Sequence, residues 1–296
     1  MAEARPAVGV IGIGAMGMGV VASLLRAGFP THARDIRPEA HRKASSRGAT
    51  CHPDAAALAR ACDIAIVLVV DSVQVDDVLF GAGGAAGAFE RGAVVMLSST
   101  VAPDYTGALA GRLAPYGVSL VDAPLSGGPR RAADATMTMM VAGAAEALAR
   151  CEPVFGAIAG RVFNVGNMPG DAAKFKIVNN LLAAVNLAAG AEALKLAVRA
   201  GLDPQRVVDV VNASSGGSWI FADRAPRALA GDFVPRAAAK ILAKDAGIAA
   251  EFAARLGADA TFANAAHAAF RGMVDAGYGE QDDAAIFSYP SANPGK

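Results

Sequence analysis

The first half of the chain alternates short apolar runs with stretches of helical length. The runs cover residues 7–11, 62–70, 92–100, 118–123 and 136–141. Continuous apolar runs of this length are typical of parallel strands buried on both faces, and the helical stretches between them predict a doubly wound sheet. Ligands in such sheets bind beyond the carboxyl ends of the strands. The pattern therefore predicts that Val69, Val70 and Thr100 lie at a binding crevice.

The second half of the chain has a longer, helical pattern. Apolar positions recur at helical spacing over residues 171–200, 203–213, 234–256 and 260–275. Gly166, Pro169 and Gly170 separate the two patterns, as expected of a hinge. We therefore expect a dinucleotide-binding α/β domain over residues 1–168 and an all-helical substrate and oligomerisation domain over residues 169–296.

A strand, a tight turn and a helix open the chain. The segment VGVIGIGAMGMG places three glycines, spaced G-x-G-x-x-G, between the first apolar run and an amphipathic run over residues 18–27. The first glycine permits the turn, the second lets the backbone approach a pyrophosphate, and the third lets helix and strand pack closely, as in Rossmann-type sheets. The turn is predicted to bind a dinucleotide through Gly12, Ile13, Gly14, Ala15, Met16 and Gly17.

Asp35 follows the predicted second strand and bears on the choice of cofactor. A carboxylate at this place accepts hydrogen bonds from the adenosine ribose hydroxyls and repels a 2′-phosphate. Arg34 and Arg37 flank it and could instead hold that phosphate, although solvated loop arginines are the simpler interpretation. The sequence thus favours NAD over NADP.

Ser126, Gly127 and Gly128 follow a predicted strand in the segment DAPLSGGP. A serine followed by two glycines can present a hydroxyl and successive backbone N–H groups to one anion. A plain turn would have the same composition, so the motif alone leaves both interpretations open.

Two lysines stand near the start of the long helical pattern, in GDAAKFKIVNN. Lys174 and Lys176 would point about 200° apart on a helix with about 100° per residue. Lys176 and Asn180, by contrast, are one turn apart on one face. A lysine beside an amide in a partly desolvated cleft can exchange protons. Lys174 is then left for solvent or the rim of the cofactor site, and two solvated helix lysines are the alternative.

Composition argues against several classes of function. The formal net charge is 0, which disfavours a general affinity for nucleic acid or anionic membranes. The three cysteines show neither metal-like spacing nor a disulfide framework, and the N-terminus lacks a signal-peptide pattern, so we expect no metal and a cytoplasmic location. The apolar segment 181–198 contains Asn186, Glu192 and Lys195, which favours a buried helix over a membrane span.

Four motifs, in this order, resemble the β-hydroxyacid dehydrogenase family, which includes 3-hydroxyisobutyrate dehydrogenase and tartronate semialdehyde reductase: VGVIGIGAMG, DAPLSGG, GDAAKFKIVNN and LAKDAGIA. The resemblance implies that Lys176 is the catalytic lysine and that Asn180 assists it. It also implies that the Ser126–Gly128 motif binds the substrate and that Thr100 and Lys244 contact the cofactor. The chain departs from the family pattern at two positions where a glycine is usual, Ala135 and Ala172.

Three segments are most similar to the branch of the family that oxidises C2 of a four-carbon sugar acid such as L-threonate with NAD: SSGGSWIFADR, GDFVPRAAAKILAKD and AGYGEQDDAAIF. In this branch Trp219 and Phe221 would shape the pocket wall, although helix packing would also explain them. We therefore expect hydride transfer from a small hydroxy acid to NAD, with Lys176 as general base, in a homodimer or homotetramer. The alternatives are oxidation of 3-hydroxyisobutyrate, NADPH-dependent reduction of a small semialdehyde, and a non-catalytic dinucleotide-binding protein.

Overall fold

The computed structural model describes residues 5–289 of the chain. Two compact units divide between Lys176 and Ile177, within one long helix. The first turns of that helix therefore belong to the first unit. The predicted domain boundary after residue 168 stays a prediction.

The first unit is built on a sheet that has nine strands within the described residues. Its order is β3-β2-β1-β4-β5-β6-β8-β7, with β9 paired to β8. The strands are β1 Val8–Ile11, β2 Thr31–Arg34, β3 Thr50–Cys51, β4 Ile64–Val67, β5 Val94–Leu97, β6 Ser119–Asp122, β7 Leu125–Ser126, β8 Met137–Ala142 and β9 Ala159–Gly166. Pairing is parallel from β3 to β6, β8 runs antiparallel to β6 and β7, and β9 is parallel to β8.

Side chains of the central strands alternate between two apolar cores, one on each face of the sheet. In β4, Ile64 and Ile66 belong to one core, whereas Ala65 and Val67 belong to the other. The strands β1 and β5 alternate in the same way. Because both faces of these strands are buried, their sequences are continuous apolar runs. The predicted doubly wound sheet is confirmed.

Within residues 5–289, seven α-helices connect the strands, and the second unit is helical. The helices before the long one are α1 Ala15–Arg26, α2 Pro38–Ser45, α3 Ala55–Ala59, α4 Ser72–Phe80, α5 Pro103–Leu113, α6 Gly128–Ala133 and α7 Ala145–Ile158. The long helix and those that follow it are α8 Asp171–Arg199, α9 Pro204–Asn212, α10 Trp219–Leu229, α11 Ala239–Arg255 and α12 Thr261–Met273. The helical second part of the predicted fold is thereby confirmed.

Three elements differ from the expectation. The helix expected from residue 234 begins at Ala239, because the Asp282 carboxylate accepts hydrogen bonds from the N–H groups of Arg236 and Ala237 and holds this segment outside the helix. The helix α10 was not expected, since Pro226 lies inside it. The strand β9 was also missed, because most of its side chains are exposed and it lacks a buried apolar run.

The long helix α8 is less buried than its composition suggested. By length and composition it is the one helix of the described residues that could cross a membrane, and 28% of its most apolar window is buried. Phe175, Val178 and Leu182 are each more than half exposed on one helical face. The expectation of a buried helix therefore holds only for the opposite face, which includes Lys176 and Asn180.

Candidate active site

The glycine turn after β1 has a shape that only glycine allows. Gly12 has a φ of +90°, and a Cβ atom on Gly17 would lie 2.1 Å from the carbonyl oxygen of Gly12. A Cβ atom on Gly14, by contrast, would have a single neighbouring atom within 4 Å, a guanidinium nitrogen of Arg37 at 3.7 Å. The turn is closed towards the protein and open at Gly14. This shape fits a pyrophosphate approaching the backbone at the start of α1.

Asp35 lies beside this turn and is held by four hydrogen bonds. Its carboxylate accepts from the backbone N–H of Ile13 at 2.9 Å and from that of Arg37 at 3.0 Å. The Arg37 guanidinium adds two more bonds, at 2.9 and 3.0 Å. Burial alone would raise the pKa of Asp35, but these hydrogen bonds outweigh burial and hold the pKa below its usual value. Arg37 is thus paired with Asp35, while half of its side chain remains exposed to solvent.

Arg34 folds back onto its own loop. Its guanidinium donates to the carbonyl oxygen of Asp35 and lies 3.4 Å from Nε2 of His41. The same His41 nitrogen accepts the backbone N–H of Asp35 at 2.9 Å. Both flanking arginines therefore contact Asp35 itself.

Val69, Val70 and Thr100 follow the carboxyl ends of β4 and β5. The N–H of Val69 donates to Oγ of Ser99 at 2.9 Å, which ties the two strand ends together. Val70 is exposed and Thr100 is half-buried. Since β1 and β4 are parallel neighbours, these residues and the glycine turn lie at the same edge of the sheet. The structure therefore brings the predicted cofactor residues of the first unit to one edge of the sheet.

The Ser126–Gly128 motif forms a turn from β7 into α6 that requires glycine at two positions. Gly127 and Gly128 have φ values of +136° and +76°, which residues with side chains rarely adopt. The helix α6 packs on α1 so closely that a Cβ atom on Gly19 would lie 2.7 Å from that of Ala132. In addition, Oγ of Ser23 donates to the carbonyl oxygen of Ala132 at 2.7 Å. The motif is therefore anchored to the helix that follows the pyrophosphate turn.

Lys176 reaches the same motif. Its side chain is buried, and Nζ donates to the carbonyl oxygen of Leu125, the residue before Ser126, at 2.7 Å. Lys174 is exposed and pairs with Asp171 at 2.9 Å. The two lysines thus have the different directions that their spacing predicts, and Lys176 is the one beside the serine-glycine motif.

Asp122, which sequence reasoning missed, holds the first turn of α8. One oxygen of its buried carboxylate accepts the N–H groups of Gly170 and Ala173, each at 2.9 Å. Burial raises the pKa of Asp122 to about 6 although these bonds favour the charged form. One short segment therefore holds both groups: Asp122 bonds the start of α8, and the carbonyl oxygen of Leu125 bonds the Lys176 ammonium. The sequence feature that could have identified Asp122 is its place as the first residue of DAPLSGG.

In the second unit, Asn180 belongs to a polar cluster that also includes the predicted Lys244. The Nδ2 group of Asn180 donates to the buried carboxylate of Asp245 at 2.6 Å, and Lys244 pairs with the other oxygen of that carboxylate at 2.8 Å. Because a carboxylate only accepts, the amide of Asn180 must turn its NH₂ group towards Asp245. Its Oδ1 atom then faces away and accepts from Asn179 at 3.0 Å. Asp245 was also missed, although it follows Lys244 in LAKD.

The two aromatic candidates have different environments. Trp219 is exposed, whereas Phe221 is buried against Phe287, with ring centroids 6.0 Å apart. Beside it, Arg224 pairs with Asp283 at 2.6 Å and joins SSGGSWIFADR to AGYGEQDDAAIF. Phe221 therefore packs in the apolar core of the second unit. No cluster of three or more His, Cys, Asp or Glu side chains that could hold a metal occurs between residues 5 and 289.

Two family models match successive parts of the chain. Residues 7–166 match the family model of the NAD-binding domain of 6-phosphogluconate dehydrogenase. Residues 170–289 match the model described as NAD-binding of NADP-dependent 3-hydroxyisobutyrate dehydrogenase.

Two relatives and one solved structure extend the similarity over nearly the whole chain. The chain is 45% identical to an L-threonate dehydrogenase of Cupriavidus necator, over 98% of both chains. It is 30% identical to mitochondrial 3-hydroxyisobutyrate dehydrogenase of Rattus norvegicus, over 98% of this chain and 88% of that one. A crystal structure of 3-hydroxyisobutyrate dehydrogenase from Salmonella typhimurium has a TM-score of 0.89 and 38% identity, covering 95% of this chain and 98% of that one.

Both the glycine turn of the first unit and the relatives along the full length point to one assignment. The chain belongs to the β-hydroxyacid dehydrogenase family and is an NAD(P)-dependent oxidoreductase that acts on the CH–OH group of small hydroxy acids.

Proposed function

We propose that this protein oxidises the C2 hydroxyl of L-threonate to the 2-oxo acid with NAD, using Lys176 as general base. The observation that carries this proposal is the bond of 2.7 Å from Nζ of Lys176 to the carbonyl oxygen of Leu125, which puts a buried amine next to Ser126. The relatives support the substrate through the match of 45% to the L-threonate dehydrogenase of Cupriavidus necator, since mitochondrial 3-hydroxyisobutyrate dehydrogenase of Rattus norvegicus shares 30% and the 3-hydroxyisobutyrate dehydrogenase structure from Salmonella typhimurium shares 38%.

In this mechanism the bound dinucleotide supplies the acceptor for the hydride that leaves C2. Lys176 takes the hydroxyl proton through Nζ, and it returns a proton to the carbonyl oxygen in the reverse direction. The Leu125 carbonyl fixes the position of Nζ while the proton moves. Ser126 with the N–H groups of Gly127 and Gly128 holds the substrate carboxylate, which orients C2.

Asn180 acts as an acceptor in the proposed site. Its place one turn after Lys176 on α8 puts both side chains on one helical face. Because Asp245 holds the NH₂ group of Asn180, its Oδ1 atom is the group that can accept a hydrogen bond from a substrate hydroxyl. Asn179 adds a second amide for the further hydroxyls that L-threonate carries and 3-hydroxyisobutyrate lacks. A site built around such hydroxyls rejects analogues without them, since its polar groups would go unpaired.

The preference for NAD over NADP is proposed from Asp35. Its carboxylate is charged and carries two bonds from Arg37, so the guanidinium beside the ribose position is already neutralised. A 2′-phosphate would have to separate this pair or be repelled by the carboxylate. An NADPH-dependent semialdehyde reductase is the rival function, and it requires Arg37 to leave Asp35 for the phosphate.

The exposed apolar face of α8 supports association of the chain with itself. Phe175, Val178 and Leu182 are 53%, 56% and 57% exposed and follow one face of the helix. Burying this face against a second copy would remove apolar surface from water. A homodimer or homotetramer is therefore proposed, and a monomer in light scattering at micromolar concentration would contradict it.

The decisive experiment is a side-by-side oxidation assay at 340 nm. The purified protein is given L-threonate or 3-hydroxyisobutyrate, each with NAD and with NADP at matched concentrations, and the variant Lys176→Ala serves as control. We expect the highest kcat/KM for L-threonate with NAD and a large loss in the variant. A higher kcat/KM for 3-hydroxyisobutyrate would overturn the substrate, and turnover of neither acid by the wild-type protein would overturn the function.

A further inference from the structure

Arg131 lies against the serine-glycine motif, on the face that a side chain at Gly127 would occupy. A Cβ atom on Gly127 would be 3.0 Å from Cδ of Arg131 and 3.3 Å from its Nε. The absence of a side chain at Gly127 therefore makes room for the arginine. The sequence motif itself contains no cation, but the folded turn has one beside it.

Helix geometry explains this direction. Arg131 lies four residues after Gly127, in the helix Gly128–Ala133. Side chains in a helix tilt towards its N-terminus, so Arg131 extends back over the Ser126–Gly128 turn. The backbone of this helix is fixed by the close packing of Ala132 on Gly19.

The charge of Arg131 is uncompensated where the structure describes the chain. Between residues 5 and 289 its half-buried guanidinium makes no ion pair and no hydrogen bond. The neighbouring Arg130 differs in burial and in pairing. Its side chain is 94% exposed, and its Nε atom lies 3.8 Å from a carboxylate oxygen of Asp134. One of two adjacent arginines is thus a solvated surface residue, and the other is a positive charge at the edge of the predicted substrate motif.

We propose that Arg131 is a substrate-binding residue whose guanidinium pairs with the carboxylate of the hydroxy acid at the Ser126–Gly128 turn; this inference rests on the proposed function. A guanidinium binds a carboxylate through two parallel hydrogen bonds and stays charged at any working pH. The serine hydroxyl and glycine N–H groups alone would hold an acid and its neutral amide with little discrimination. Arg131 makes the site selective for an anion.

The test uses the full-length protein with bound NADH and three variants: Arg131→Ala, Arg131→Lys and, as matched control, Arg130→Ala. Binding of L-threonate and of its primary amide is measured by titration calorimetry, and KM and kcat for the acid are measured with NAD. We expect Arg131→Ala to weaken binding of the acid and raise its KM by about 10- to 100-fold, with kcat changed only a few-fold. Arg131→Lys should recover part of the affinity, and Arg130→Ala should match wild type.

Each contrary result has a distinct meaning. Equal losses for acid and amide, or an equal loss in Arg130→Ala, would overturn the role of Arg131, and so would unchanged affinity in Arg131→Ala. A wild-type protein that binds the acid without turning it over would refute the proposed function alone, since the calorimetric comparison needs no turnover. A wild-type protein that binds no L-threonate overturns both. A urea denaturation midpoint for Arg131→Ala equal to that of wild type shows that the fold is intact.

Discussion

Asp122 should control both the stability of the start of α8 and the position of Lys176. One of its oxygens accepts the N–H groups of Gly170 and Ala173, each at 2.9 Å, and its side chain is 2% exposed. The informative pair of substitutions is Asp122→Asn and Asp122→Ala. The amide oxygen of asparagine can accept both N–H groups, whereas alanine leaves both without an acceptor.

The difference in stability between Asp122→Ala and Asp122→Asn follows from these two hydrogen bonds. A buried donor that loses its acceptor costs about 1–3 kcal/mol, so the two N–H groups together cost about 2–6 kcal/mol. We therefore expect the free energy of unfolding of Asp122→Ala to lie below that of Asp122→Asn by this amount at every pH. A loosened helix start also displaces Nζ of Lys176, and a shift of about 1 Å in a reacting group can cost about 100-fold in rate. Asp122→Asn should retain a kcat near that of wild type.

The pH dependence of the free energy of unfolding gives a second, independent measure of the role of Asp122. Burial raises the pKa of Asp122 from 3.8 to about 6, and the nearby charge of Asp171 adds to the rise. The folded state then binds a proton more tightly than the unfolded state, so the stabilising contribution is fully present below pH 4 and is lost as the pH rises through 6. The change of pKa corresponds to about 3 kcal/mol. Asp122→Asn removes this dependence and should match or exceed the stability of wild type at pH 8.

Urea denaturation at pH 5 and pH 8, with kcat measured on the same samples at pH 8, tests this reasoning. Equal stability of the two variants would show that the hydrogen bonds to Gly170 and Ala173 contribute nothing. A wild-type pH dependence that persists in Asp122→Asn would show that another group causes it.

Four further substitutions test other parts of the molecule. Lys176→Ala should lower kcat by about two to four orders of magnitude with NADH binding nearly intact, whereas Lys174→Ala should lower kcat only slightly. Comparable losses of kcat for the two variants in steady-state assays would refute the assignment of Lys176 as general base. Asp35→Ala should relax the preference for NAD, and a wild-type protein several-fold faster with NADP would show that the flanking arginines dominate. Asp283→Ala should lower the free energy of unfolding by about 1.5–3 kcal/mol, since the buried Arg224 guanidinium loses its two hydrogen bonds to Asp283 and keeps only its pairing with Asp223; an unchanged urea midpoint would contradict this.

Local spacing was enough to predict the central parallel strands, the long helices of the second half and the place of the glycine turn. A buried parallel strand requires a continuous apolar run, and the turn after β1 requires glycine at two positions where a Cβ atom would lie within 3 Å of backbone atoms. The separation of Lys174 from Lys176 is likewise a property of helical periodicity. Such constraints act between residues a few positions apart, so they can be inferred from the sequence alone. The start of α11 was misjudged because a residue far along the chain, Asp282, overrides the local pattern.

The groups that hold the proposed catalytic residues were decided by tertiary structure. Asp122 is 48 residues from Gly170, and Asn180 is 65 residues from Asp245. No periodicity links such positions, because these contacts depend on which strands and helices pack together. Arg131 stands beside the substrate motif in the sequence, yet only the direction of its helix shows that its side chain covers Gly127 while that of Arg130 faces solvent. The sequence by itself thus determined which chemistry the chain can carry, and the packing of distant elements decided which polar groups meet to perform it.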